Sequence, residues 1–390
     1  NNNQIKITKP SKRGKEYLDI GHCILNIFCV LYLGYCIFLP SFAHASLDIS
    51  GYYRNDLAYV VKRNGDPVTA DVNKLRLRLD YGLLENINIH LEPSYTFLIK
   101  SQNIALSDTA SGTDQLVWDR AYIKLDLPAA DITYGRQRVA WGTGYVWNPT
   151  DVFNPFALSF SVTEDDRLPV EAVRTMIPLG EASFVDVIAI TNQEFNKAKK
   201  GIKAKTNISN YDLSVSYINL GDLGYQIGGD MAGELWGFGI RSEVARIFPN
   251  ASSAYTKGVI GWDNTLDNGL GLSMEYYYNG LGQRDKSLYN WVGLFAGNIS
   301  QLARNYLYFG LNYNIDEITS VRLSYLMNLD DSSRIIYPAY SRNIYEDVDL
   351  SIEAMLQGGE DGSEYHPIAL QDPSGFLGSN IYFLKLKYSF

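Results

Sequence analysis

The sequence predicts an all-β protein: an up-and-down antiparallel barrel whose strands cross a membrane. Three observations carry that prediction. Large apolar residues recur at every second position in segment after segment, with polar residues between them, which is the period of a strand with two unlike faces. After residue 45 the chain has no run of about 20 apolar residues, so a helical membrane span is excluded. Short turns and longer connections alternate along the chain, as an even-stranded up-and-down barrel requires.

The carboxyl end shows the pattern most cleanly. Counting back from Phe390, the residues Tyr388, Leu386, Leu384 and Tyr382 share one face, and Ser389, Lys387 and Lys385 share the other. A terminal strand ending in an aromatic residue resembles the closing strand of a Gram-negative outer-membrane β-barrel. The resemblance implies that Tyr388 and Phe390 belong to the signal read by the barrel-assembly machinery. It also implies an apolar face toward lipid and a charged face toward a water-filled lumen.

The amino end fits an exported protein. Lys6, Lys9, Lys12, Arg13 and Lys15 precede an apolar run from Cys23 to Leu39, and Ala43-His44-Ala45 is a small-residue cleavage site. Residues 1–45 therefore read as a signal peptide and 46–390 as the barrel. Cys23, Cys29 and Cys36 all lie in the leader, so the mature chain has no thiol. The leader takes five basic and two acidic residues with it, which moves the formal charge from −9 to −12. An acidic balance argues against nucleic acid as a partner. Tyrosine (29 residues, against 16 Phe) suits the girdles where rings meet lipid and hydroxyls meet water.

Walking along the chain, Leu75, Leu77, Leu79 and Tyr81 alternate with Lys74, Arg76, Arg78 and Asp80. After a tight turn at 84–86 the same parity continues in Ile89 and Leu91 against Asn88, His90 and Glu92. Later segments such as Leu272/Met274/Tyr276 and Leu350/Ile352/Ala354 repeat the pattern. Short turns fall near 84–86, 128–130, 178–181, 208–210, 233–236, 265–269, 315–318 and 344–347, and longer connections between them. Together these join 18 strands, or 16 if Gly229–Phe248 is loop instead of a hairpin.

The stretch Gly135-Arg-Gln-Arg-Val-Ala-Trp-Gly-Thr-Gly-Tyr-Val-Trp-Asn-Pro-Thr-Asp-Val-Phe-Asn-Pro155 breaks the alternation. Proline cannot join a central ladder, so 142–168 is a loop, the third of the long ones. Trp141, Trp147, Asn148, Pro149, Asp151, Phe153, Asn154 and Pro155 make it too apolar for a solvated loop, and the lumen is the surface it can pack against. In the porin family the third loop folds inward and narrows the pore, and the resemblance implies that role here. The strands around 169–191 alternate poorly, which fits a wall covered by such a loop.

Charge then suggests a constriction. A tight turn at 128–130 with residue pairs summing to about 258 sets Arg120 beside Arg138 and Tyr122 beside Arg136, with Lys124, Arg76 and Arg78 on the same face. Glu164, Asp165 and Asp166 near the end of the third loop then face a basic wall, and such a transverse field sorts charged solutes. The plainer alternative pairs the arginines with wall acids such as Glu92 and Asp126. No cofactor or metal set is present in the pattern. Asp80 and His90 pair across the turn, but Ser94 lies about 13 Å along the strand, which does not make a catalytic triad. The function expected is passive diffusion of small polar or charged solutes. Export of a surface polysaccharide and a plugged structural or adhesive barrel are the rivals. Outer-membrane lipid is the surrounding partner, and a homotrimer is neither required nor excluded by the lipid-face pattern.

Overall fold

The structure is a computed structural model that describes residues 46–63, 66–99, 114–154, 168–194, 196–368, 370–372 and 377–390. The leader, Pro155, Glu164, Asp165 and Asp166 lie outside the described residues. Within Ser46–Phe390 the chain forms β1 (Ser46–Val61), β2 (Val68–Leu84), β3 (Ile87–Ile99), β4 (Gln115–Leu127), β5 (Ala130–Gln137) and β6 (Val170–Pro178). Next come β7 (Phe184–Ile190), β8 (Lys200–Ile208), β9 (Tyr211–Asn219), β10 (Gly224–Leu235), β11 (Phe238–Pro249) and β12 (Tyr255–Thr265). The last six are β13 (Gly271–Asn279), β14 (Asn305–Asn314), β15 (Thr319–Asn328), β16 (Arg334–Tyr345), β17 (Val348–Gly358) and β18 (Asn380–Ser389). A short helix, α1 (Trp291–Phe295), sits in the connection 280–304.

Each strand pairs antiparallel with its sequence neighbours, and β1 pairs with both β2 and β18, so one 18-stranded sheet closes on itself. Closure leaves no strand edge unpaired. The segment that decided between 16 and 18 strands is a hairpin: β10 and β11 pair from Gly224↔Pro249 to Leu235↔Phe238. Its turn, Trp236-Gly237, and the turn Ser209-Asn210 each carry two successive positive φ values, the conformation that matches strand twist in two-residue hairpins.

The two faces separate as the alternation requires. Leu57, Tyr59, Val215, Ile260, Ile352, Leu384 and Tyr388 lie exposed on one face. The other face carries the ion pairs of β2 to β4 described below. At the seam, the Gly51 N–H donates to the Phe390 carbonyl at 2.8 Å and the Phe390 N–H returns a bond to Gly51 at 3.0 Å.

Candidate functional site

The ladder of β5 stops at Gln137, four residues before the break expected at Trp141, and the chain then turns onto the lumen wall. The Asn154 side chain ties the described part of the loop together: it accepts from the Val139 N–H at 2.8 Å and donates to the Leu168 carbonyl at 2.7 Å. Trp141 donates its indole N–H to Asp186 of β7 at 2.9 Å, and its ring meets Phe153 edge-on at 5.0 Å. Both rings lie over Gly201 of β8, where a Cβ would come within 2.9 Å of each. With Val139, Ala172, Ile188, Ile190, Ala198 and Ile218 they form one buried cluster. Ala172 of β6 and Ile188 and Ile190 of β7 are apolar on the lumen face because they meet this loop, while Arg174 and Asp186 pair beside it.

Two wall carboxylates hold the backbone of the loop. Glu243 of β11 accepts from the Thr143 N–H (2.9 Å), the Thr150 N–H (2.5 Å) and the Thr150 hydroxyl (2.8 Å). Glu275 of β13 accepts from three successive N–H groups, those of Tyr145 (2.6 Å), Val146 (3.1 Å) and Trp147 (2.9 Å). Gly142 has φ +97, and a Cβ there would meet the Glu243 carboxylate at 2.6 Å. Asn148-Pro149-Thr150-Asp151 forms a turn: the Asp151 N–H donates to the Asn148 carbonyl at 3.1 Å, and the Asp151 carboxylate accepts from the N–H groups of Phe153 and Asn154. Gln226 and Lys199 donate to the carbonyls of Pro149 and Val152. Trp147 stacks on Tyr277 of β13. The loop thus crosses the lumen face from β7 to β13. Tyr145 is its exposed ring, 46% accessible, with the Arg241 guanidinium 3.8 Å from its centroid.

The basic residues of β2, β3 and β4 are paired by acids of the same wall. Arg76 bonds Asp119, with Lys74 3.8 Å from the same carboxylate. Buried Glu92 takes Arg78 at 2.9 Å and lies 3.5 Å from Arg120. Lys124 lies 2.5 Å from Asp126 and 3.7 Å from Asp131. His90 contacts Asp80 at 2.5 Å, as the turn at 84–86 implied, and stacks on Tyr122 with centroids 4.8 Å apart. The described residues thus follow the plainer alternative, arginines neutralised by wall acids.

One expectation is corrected. The turn between β4 and β5 has two residues, Pro128-Ala129, so Leu127 pairs with Ala130 and partners sum to 257. A slip of one residue turns the whole strand over. Tyr122 therefore faces Gly135 (φ +128), and Arg136 faces Ala121, on the side of exposed Tyr134. Arg136 reaches Glu171 at 3.9 Å on that outward side. Arg138 lies beyond the strand, and Arg120 does not sit beside it.

Sequence reasoning missed Glu243, Glu275, Asp186 and Arg241. In sequence they are ordinary polar members of alternating strands, and only the fold brings them to the loop. At the short-turn end a cavity of about 880 Å³ has a lining that includes Arg54, Glu353, Lys385 and Lys387.

No family model matches the chain, and no curated protein does. Solved structures do. The chain is similar to Acinetobacter baumannii OccAB1 at TM-score 0.60 and 10% identity, over 88% of this chain and 96% of that one. A. baumannii OccAB4 gives 0.59 and 11%, over 88% and 98%. Pseudomonas aeruginosa OprD gives 0.57 and 11%, over 90% and 98%. At these identities the likeness is one of fold, and in fold the chain is a closed 18-stranded antiparallel β-barrel similar to these structures.

Proposed function

We propose that this protein is an outer-membrane channel for passive diffusion of small polar or charged solutes. The observation that carries the reading is the third loop: residues 138–154 lie against the lumen face of β7 to β13, held by Glu243 and Glu275, while paired charges line β2 to β4. Moving an ion through hydrocarbon is costly, and a hydrated, charge-lined passage removes most of that cost. In this reading the loop sets the width of the passage, and Arg76, Arg78, Arg120, Tyr122 and Lys124 with their wall acids set its charge. Glu164, Asp165 and Asp166 are proposed to add to that charge from the loop.

The remaining assignments belong to the same proposal. The leader 1–45 directs export and is removed, outer-membrane lipid surrounds the apolar face, and the strand ending Tyr388-Ser389-Phe390 is the assembly signal. The test is to refold residues 46–390 in detergent and record single channels in a planar bilayer under a salt gradient. Stepwise ohmic openings are expected. A folded, heat-modifiable barrel that passes no current would end the channel reading.

A further inference from the structure

The long-loop end of the barrel contains a buried hub that the third loop does not explain. Residues of 280–304, 329–333 and 359–368 meet at Glu364, which is buried. Its carboxylate accepts from the Leu302 N–H at 2.9 Å, the Tyr306 hydroxyl at 2.7 Å and the Asn328 amide at 2.8 Å. The network then closes into a ring. The Asn328 amide also reaches the Tyr289 hydroxyl at 3.0 Å, Tyr289 donates to Asp331 at 3.0 Å, and the Glu364 N–H donates to the same Asp331 oxygen at 2.8 Å. Two carboxylates therefore share one enclosed network.

The titratable groups facing Glu364 are Asp331 from 329–333, Tyr289 from 280–304, Tyr306 from β14 and Tyr365 from its own segment. Each of these is neutral or negative. Asp330, next to Asp331, is turned to the N–H groups of Arg304 and Asn305. Around the hub, Tyr289, Leu294, Leu302, Tyr306 and Tyr365 form one apolar cluster that also contains Trp147 of the third loop. The ion pairs at the margin, Lys286 with Glu360 and Arg63 with Asp361, have well-exposed acids, and pairs of that kind hold a segment weakly. Residues 359–368 are docked by the hub together with Arg63, which donates to the carbonyls of His366 and Pro367.

We propose that residues 359–368 form a pH-sensitive lid, docked while Glu364 is protonated and released as Glu364 becomes charged. That release widens the passage, a consequence that rests on the channel reading above. The direction follows from the surroundings. Burial, reinforced by Asp331, outweighs the donors and holds the Glu364 carboxyl up at about 7. An undocked glutamate in water titrates near 4.3. Docking is therefore strongest below that lower value, weakens as pH rises between the two, and stays weak above about 7. Across this window the docked-to-undocked ratio falls by roughly 500-fold.

The test uses the barrel in detergent and in planar bilayers, with the long-loop side titrated from acid to mildly alkaline pH. Hydrogen exchange of amides 359–368, corrected for the chemical rate, reports docking whether or not current flows. The wild type is expected to lose protection and gain conductance as pH rises from about 4.3 to about 7, with no further change above that. Glu364→Gln, which cannot ionise, is expected to keep both constant in a barrel that still shifts on heating. Equal wild-type protection at both pH extremes would overturn the lid, as would a Glu364→Gln profile that follows the wild type. Loss of protection without any current would retain the lid and remove the channel reading.

Discussion

Trp147 of the third loop stacks on Tyr277 of β13, with ring centroids 5.0 Å apart and planes 13° from parallel. Trp147 is 6% exposed and Tyr277 3%, so the pair is buried. Tyr306 of β14 completes the contact at 5.8 Å from Trp147. Removing the indole deletes buried ring area and leaves a hole that the rigid wall cannot fill, at a cost of about 3–5 kcal/mol for a core aromatic. Trp147→Ala is therefore expected to free the loop tip: the barrel still closes, but single-channel traces become noisier and mean conductance rises. Traces indistinguishable from wild type would mean that the loop does not depend on this contact.

Glu275 tests the backbone anchor separately from the aromatic one. Its carboxylate is the acceptor for three consecutive loop N–H groups. Hydrogen bonds to a charged group contribute about 1.5–3 kcal/mol each, and orphaned buried donors add to the loss. Glu275→Ala should open the passage more than Glu275→Gln, which keeps one oxygen acceptor. The ordering wild type, Gln, Ala in conductance is the expected result, and equal conductance for all three would remove Glu275 from the account.

How much of this was legible in the sequence depends on the range of the interaction. Alternation placed Arg78, His90, Glu92, Arg120 and Lys124 on one face, because side-chain period is a local property. The contact of His90 with Asp80 followed from one tight turn. The break at Trp141 and the two Asn-Pro steps identified a loop, but not its anchors: Glu243 is 100 residues from Thr143, and Glu275 is 128 from Trp147. Nothing local distinguishes these two glutamates from other lumen acids. The face of Arg136 was lost to a single residue, since Pro128-Ala129 closes a two-residue turn where three were counted. The hub around Glu364 had only a faint signal, the Tyr289 and Trp291 rings in the long connection 280–304.

The corrected register changes what the arginines are expected to do. Arg136 points outward to Glu171, so Arg136→Ala should leave ion preference unaltered. Arg78 and Arg120 flank buried Glu92 in the lumen. Replacing both with alanine leaves that carboxylate without its two arginines, and the reversal potential under a salt gradient should move toward cation preference. A shift with Arg136→Ala and none with the Arg78/Arg120 pair would reverse the assignment of faces.

Phe390 ends the chain against Gly51 of β1 through two reciprocal backbone bonds, and its ring lies where a Gly51 side chain would be. A Cβ on Gly51 would come within 2.9 Å of that ring and 2.4 Å of the Arg76 carbonyl on the neighbouring strand. The carbonyl belongs to the β1–β2 ladder and cannot move without breaking it, so the ring is not the only obstacle. Gly51→Val is therefore expected to fail at the β1–β18 seam, giving little heat-modifiable barrel on cold gel electrophoresis. Phe390→Ala removes the ring but keeps the backbone bonds, so it should close in detergent with a lowered melting temperature. Combining the two separates the causes. If Gly51→Val is rescued by Phe390→Ala, the ring alone excludes a side chain at position 51. If it is not, the approach of the Arg76 carbonyl is what requires glycine at the seam.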